Sequence, residues 1–121
     1  MRQTDRFQTT LNLPEPVADY VRAVNAGVTD IFLGSFADDA VVVDVSREVR
    51  GLDAITAWAA ADIFGAQVQF DVLDVTERQG QIVTTVKIDG TFDRTGLPDP
   101  LVMHHAFTIA DGKIARLQIG F

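Results

Sequence analysis

The sequence predicts an α+β fold, with three N-terminal helices packed on a strongly curved, mostly antiparallel sheet. Three observations predict it. In the first half, apolar residues recur at helical spacing, as in Val17, Tyr20, Val21 and Val24. In the second half they alternate with polar residues, most plainly from Ile82 to Ile88. Helical patterns come first and strands come last, the order expected when helices collect on one face of an antiparallel sheet. A curved sheet covered by helices leaves a cone whose open end is a natural pocket.

Each element has its own signals. Pro14 and Pro16 suit the first turn of a helix, where a missing N–H costs nothing. Gly27 is a C-terminal stop. Thr29 is expected to cap a second short helix, with Asp30 at its positive end and Ile31, Phe32, Leu33 and Phe36 as its apolar surface. Ala37-Asp38-Asp39 reads as a turn. Val41, Val42 and Val43 begin the first strand, since β-branched runs favour the pleated state. Ser46 to Arg50 is a polar loop or short edge strand. A third helix is expected from about Leu52 to Phe64, with Ile55, Trp58, Ala59 and Ile63 as its buried stripe.

Four strands follow. Val68, Phe70 and Val72 alternate with polar residues, and Arg78-Gln79-Gly80 is a turn. The next strand presents Ile82, Thr84, Val86, Ile88 and Phe92 on one face. Arg94 to Pro100 is a loop. Leu101, Met103, His105, Phe107 and Ile109 then face inward, Asp111-Gly112 makes a hairpin turn, and Ala115, Leu117, Ile119 and Phe121 line the last strand. Residues 1–12 read as a polar arm and residues 13–121 as a single domain.

The totals bound the function. The chain has 121 residues and buries roughly two-thirds of its unfolded surface, enough for a core without staples. It has no cysteine and two histidines, so disulfides and Cys-ligated or His-rich metal sites are not expected. The net charge is −7 and the ten basic residues are scattered, which argues against nucleic acid and anionic membrane as partners. No apolar run is long enough to span a bilayer, and the opening residues lack the apolar core of a secretory signal. A cytoplasmic location is expected.

Three polar residues stand in apolar company. Asp44 ends the valine run. It is either a strand-terminal carboxylate bonded to backbone N–H groups or to Arg47 or Arg50, or a general base in an apolar pocket. Tyr20 lies on the apolar stripe of helix one, as a core tyrosine or as a hydroxyl that polarises a carbonyl. His105 shares a face with Phe107 and Ile109, as a satisfied core histidine or a catalyst, while His104 points the other way. Val24, Phe32, Trp58, Phe70, Phe92, Met103, Phe107 and Phe121 are expected as core or pocket wall. Arg47 and Arg50 read as a solvated rim.

The segments Val24-Asn25-Ala26-Gly27, Phe36-Ala37-Asp38-Asp39-Ala40, Arg50-Gly51 and Ala110-Asp111-Gly112-Lys113-Ile114 resemble the NTF2-like (cystatin-like) superfamily. That superfamily includes the SnoaL-like polyketide cyclases and the ketosteroid isomerases. The resemblance runs from Val17 to Phe121. The first half is most similar to ketosteroid isomerase, and an ungapped match puts that family's oxyanion-binding tyrosine on Tyr20 and its proton-shuttling aspartate on Asp44. The family's second oxyanion donor is a protonated aspartic acid, a known case of pKa tuning. Here that region reads Met103-His104-His105-Ala106, and strand parity favours His105. The proline that follows the family's base is replaced by Val45.

The resemblance implies an apolar pocket for a hydrophobic small molecule and proton abstraction next to a carbonyl without a cofactor. Asp44 is then the base, with Tyr20 and His105 stabilising the enolate. An isomerase, lyase, cyclase or hydrolase can use the same parts. The alternative of another class is a ligand carrier or assembly domain without catalysis. The superfamily commonly dimerises through its open sheet face, and Val83, Thr85, Lys87, Thr91, His104 and Thr108 are the candidate homodimer contacts.

Overall fold

The computed structural model describes residues 12–121, so the expected arm lies, except for Asn12, outside the described residues. Helix α1 (Glu15–Ala26) starts behind Pro14 and ends where Gly27 adopts the left-handed conformation, φ 73°. That geometry is strained for any residue with a Cβ and free for glycine. It lets the Gly27 and Val28 N–H groups close on the carbonyls of Val24 and Ala23. Helix α2 (Thr29–Gly34) follows at once. Thr29 is its first helical residue rather than its cap; Val28 takes the cap position without a side-chain hydrogen bond.

Strand β1 (Phe36–Asp44) begins earlier than the valine run predicts. Ala37-Asp38-Asp39 is part of the strand, not a turn. Phe36 and Ala40 are both buried, which holds the backbone extended while Asp38 and Asp39 face water. The ladder is nevertheless irregular here, with a register shift between Phe36 and Val41. The polar stretch after it forms an edge strand, β2 (Arg47–Arg50).

Helix α3 (Leu52–Ala59) is shorter than expected, because residues Ala60–Phe64 continue it as a π-helical turn. Strands β3 (Gln69–Arg78), β4 (Gln81–Asp89), β5 (Val102–Ala110) and β6 (Lys113–Gly120) complete the chain. Two of their hairpins close through residues with positive φ, Gln79-Gly80 and Asp111-Gly112, as tight turns between twisted strands require. Phe92 lies beyond the end of β4, not within it. At Gly90 the chain passes 2.8 Å from the Ala66 carbonyl and 2.9 Å from the Phe92 ring at the place a Cβ would occupy. That close approach bends the segment out of the ladder.

The six strands form one sheet in the order β2-β1-β6-β5-β4-β3. β1 and β6 run parallel and every other neighbour pair is antiparallel. Register shifts occur also in β3 against β4 and in β5 against β6. Such bulges bend strands and sharpen twist, which curves the sheet around the helices. The shift at Thr108/Ile109 alters the parity of β6, so Ile114 and Leu117 are buried and Ala115 is only half-buried. The core between helices and sheet includes Val17, Phe32, Ile55, Phe107, Ile114 and Leu117. No described helix is long and apolar enough to cross a membrane.

Candidate active site

Strand register assembles the site. Asp44, the last residue of β1, pairs with Ile119 of β6, and Ile119 pairs in turn with His105 of β5. The three stand in one row across the sheet. Adjacent strands are about 4.8 Å apart, so the backbones of Asp44 and His105 lie roughly 10 Å apart astride Ile119. All three line the same cavity, of about 320 Å³. The row joins residues 61 positions apart in sequence (105 − 44) through a strand near the end of the chain.

Asp44 has one defined partner. Its Oδ2 accepts a hydrogen bond from Trp58 Nε1 at 3.0 Å. Trp58 sits on the buried stripe of α3, and a buried indole N–H needs an acceptor. The bond fixes the carboxylate's orientation and leaves Oδ1 without a protein hydrogen bond among the described residues. Arg47 and Arg50, the other partners the sequence offers, pair instead with Asp62 and Glu48 on the surface. The residue after Asp44 is Val45, held at φ 60°. Positive φ is an outlier for a β-branched residue. Its N–H donates to the Ile119 carbonyl, and its side chain joins the cavity mouth.

His105 is 2% exposed and its Nε2 has no hydrogen-bond partner among the described residues. Burial, and next the charge of neighbouring His104, lower its pKa from 6.5 to about 3. The imidazole is therefore neutral at physiological pH and carries one N–H. Tyr20 lies beneath it, 1% exposed, its hydroxyl 3.5 Å from His105 Nδ1, at the outer limit of a hydrogen bond. Burial first, and the charge of Asp44 second, push the Tyr20 phenol well above its ordinary range, so it stays protonated. Its ring packs on Phe32, Phe36, Phe70 and Phe107 at centroid distances of 5.3–6.0 Å. The contact serves either neutral tautomer: the Tyr20 hydroxyl donates to Nδ1, with the imidazole proton on Nε2, or Nδ1–H donates to the hydroxyl.

The residues expected at the site thus divide into layers. Asp44 and His105 line the cavity, with Trp58, Phe70, Phe92, Met103 and Phe121 among the walls. Tyr20 is not a wall; it contacts His105 from the core. Val24, Phe32 and Phe107, expected as pocket wall, are fully buried core residues that do not line this cavity. Phe107 shares the inward face of β5 with Met103 and His105 but is not a wall, and α1 and α2, which carry Val24 and Phe32, contribute no wall, a difference that periodicity does not carry. His104 faces outward, with Thr85 Oγ1 3.2 Å from its Nδ1. Three features escape the sequence reading: the Trp58–Asp44 bond and the two rim carboxylates, Asp62 on the π-helical turn and Asp93 on the loop after β4. The need of a buried indole for an acceptor signals the first. No local signal marks the other two.

Comparison with known proteins places the chain in a family. The model of the SnoaL-like domain matches residues 17–117. The chain belongs to the SnoaL-like family. A candidate polyketide cyclase from Sinorhizobium meliloti is 33% identical over 89% of this chain and 95% of that one, with a TM-score of 0.80. A Δ5-3-ketosteroid isomerase from Mycobacterium sp. is 20% identical over 88% and 90% of the two chains, TM-score 0.70. A Catenulispora acidiphila protein of ketosteroid isomerase-like fold, solved in complex with trimethylamine, is 18% identical over 91% and 87%, TM-score 0.73. No curated protein matches. The second and third share the fold of this SnoaL-like domain; the first is similar to it in sequence as well.

Proposed function

We propose that this SnoaL-like protein is a cofactor-independent enzyme that moves a proton next to a carbonyl of an apolar small molecule, as an isomerase of the ketosteroid isomerase type does. The observation that carries the reading is the row Asp44–Ile119–His105, which brings a carboxylate and a neutral imidazole to one cavity. Asp44 Oδ1 removes the α-proton, and the C–H electron pair becomes the enolate. The charge developing on the carbonyl oxygen is met by His105 Nε2–H. Tyr20, donating to Nδ1, holds the tautomer that makes this possible. Asp44 then returns its proton to the same carbon or, in a conjugated enolate, to the remote one. The second outcome is isomerisation; capture of the enolate by an internal carbonyl is cyclisation.

A neutral donor suits this task. An imidazole that resists protonation down to about pH 3 gives a hydrogen bond without quenching Asp44 as a base. Trp58 keeps the carboxylate aimed, and the apolar walls lower the local polarity, which strengthens both interactions. The relation to a candidate polyketide cyclase supports a small-molecule substrate.

Solvent exchange tests the reaction directly. Small enones and a 3-oxo-Δ5 steroid are incubated with the protein in D₂O, and deuterium at the α and γ positions is followed by NMR. Asp44→Asn is expected to slow exchange by roughly 10²–10⁴-fold, the usual contribution of a general base. Unchanged exchange in Asp44→Asn removes the base assignment. The Trp58–Asp44 bond favours one alternative, a binding protein whose carboxylate is already engaged. It predicts ligand-induced chemical shifts with no exchange above the buffer rate.

A further inference from the structure

The cavity is graded from floor to mouth. Its floor is buried and apolar, with Ile119, Met103 and Leu101, and includes His105, whose buried Nε2 has no hydrogen-bond partner among the described residues. Its mouth is exposed and acidic. Asp62 and Asp93, both exposed, line it, Asp44 is half-buried, and no Lys or Arg among the described residues is a wall. One guanidinium, Arg47, pairs with Asp62; among the described residues no Lys or Arg pairs with Asp44 or Asp93. Arg94 lies 4.9 Å over the Phe92 ring, but Asp89 pairs with its charge. The Phe92 and Phe121 rings line the same cavity, and Phe121 is 63% exposed. Carboxylates beside aromatic rings are the combination that attracts a cation and repels an anion.

We infer that the substrate or ligand of this site is a ketone with a cationic group, an amine, at the end opposite its carbonyl. The carbonyl reaches His105 and the ammonium rests at the mouth between Asp62, Asp93 and the two rings. Carboxylated, phosphorylated and other anionic frameworks are disfavoured. The inference rests on this cavity being the substrate site proposed above, and it adds the charge class that the site selects.

Three aryl ketones of one frame isolate the charge: acetophenone, 4-(aminomethyl)acetophenone and 4-acetylbenzoate. Each is titrated into the isotope-labelled full chain and its dissociation constant read from NMR chemical shifts. The amine is expected to bind about tenfold or more tighter than the carboxylate, a modest electrostatic difference. The ratio should fall to about twofold in the Asp62→Asn/Asp93→Asn double variant, and should shrink in high salt as surface charges are screened. Equal affinities for amine and carboxylate overturn the inference, and so does a ratio that the double variant leaves unchanged. Deuterium exchange of acetophenone itself is measured in parallel. Charge preference without exchange leaves this inference standing and removes the proposed reaction; exchange without charge preference does the reverse.

Discussion

His105 is the residue on which burial has the largest chemical effect. A neutral imidazole in the core is comfortable; a charged one is not, because the apolar floor replaces the water that solvates an imidazolium. The unfolded chain takes up this proton near pH 6.5, while the folded chain resists it to about pH 3. Between those values the unfolded state binds more protons, so stability rises with pH. The contribution is intact above pH 6.5 and is lost as pH falls toward 3, by about 1.4 kcal/mol for each unit well below 6.5. Urea denaturation of the unmodified protein from pH 7 to pH 4 should show this slope. His105→Gln cannot titrate there and should lose that part of it. Identical pH profiles for the two proteins would mean that His105 is protonated in the folded state. The same residue shows a limit of sequence reading. Parity along β5 identifies it as inward-facing, yet whether its Nε2 finds a partner depends on which atoms other elements bring to it.

At the scale of elements, the π-helical turn Ala60–Phe64 positions the mouth. It turns α3 so that Asp62 and Ile63 both line the cavity. It closes with the Gly65 N–H on the Ala60 carbonyl at 2.8 Å, five residues back. A Cβ at Gly65 would stand 2.5 Å from the Ala60 oxygen and 2.9 Å from the Ala61 oxygen, both backbone atoms that cannot swing away. Gly65→Ala should therefore destabilise the fold by about 1–3 kcal/mol, the usual cost of overpacking. Thermal unfolding measures it, and an unchanged midpoint would show that the turn relaxes to a regular helix. The sequence announces the elements because apolar periodicity is local: α1, α3 and β3 to β6 follow directly from it. It does not announce the π turn, because a shift from i→i−4 to i→i−5 bonding changes the face presented without changing composition. The start of β1 is hidden for a related reason. Asp38 and Asp39 look like turn residues until Phe36 and Ala40 are seen to anchor the strand on either side. The site row is less legible still, since it requires the parallel register of β1 on β6, a long-range pairing with no local code.

At the scale of the whole molecule, the helices cover one face of the sheet and leave the other open. On that outer face Val83 pairs with Ala106 and Ala106 with Gln118, a row of small and mixed side chains at its centre. Thr85, Val102 and Thr108 extend it, and all of these except Gln118 are half-buried in the isolated chain. His104 and Lys87 stand among them, exposed. A face of small and mixed side chains with few charges at its centre suits an isologous contact, in which each residue near the axis meets its own copy. A stable contact of this kind covers about 800 Å² per partner. We therefore expect a homodimer through the outer faces of β4, β5 and β6. Sedimentation equilibrium at micromolar concentration should give twice the chain mass of 13.2 kDa. Ala106→Glu would set two carboxylates against each other near the axis and should return the mass to that of one chain. Its helix and strand signals should be retained, because Ala106 faces away from the core. A monomer in the unmodified protein, or a dimer that survives Ala106→Glu, would place the contact elsewhere. The face and the cavity lie on opposite sides of β5, so His104 and His105 report separately on the two. His104 resonances should shift with protein concentration and His105 resonances with ligand.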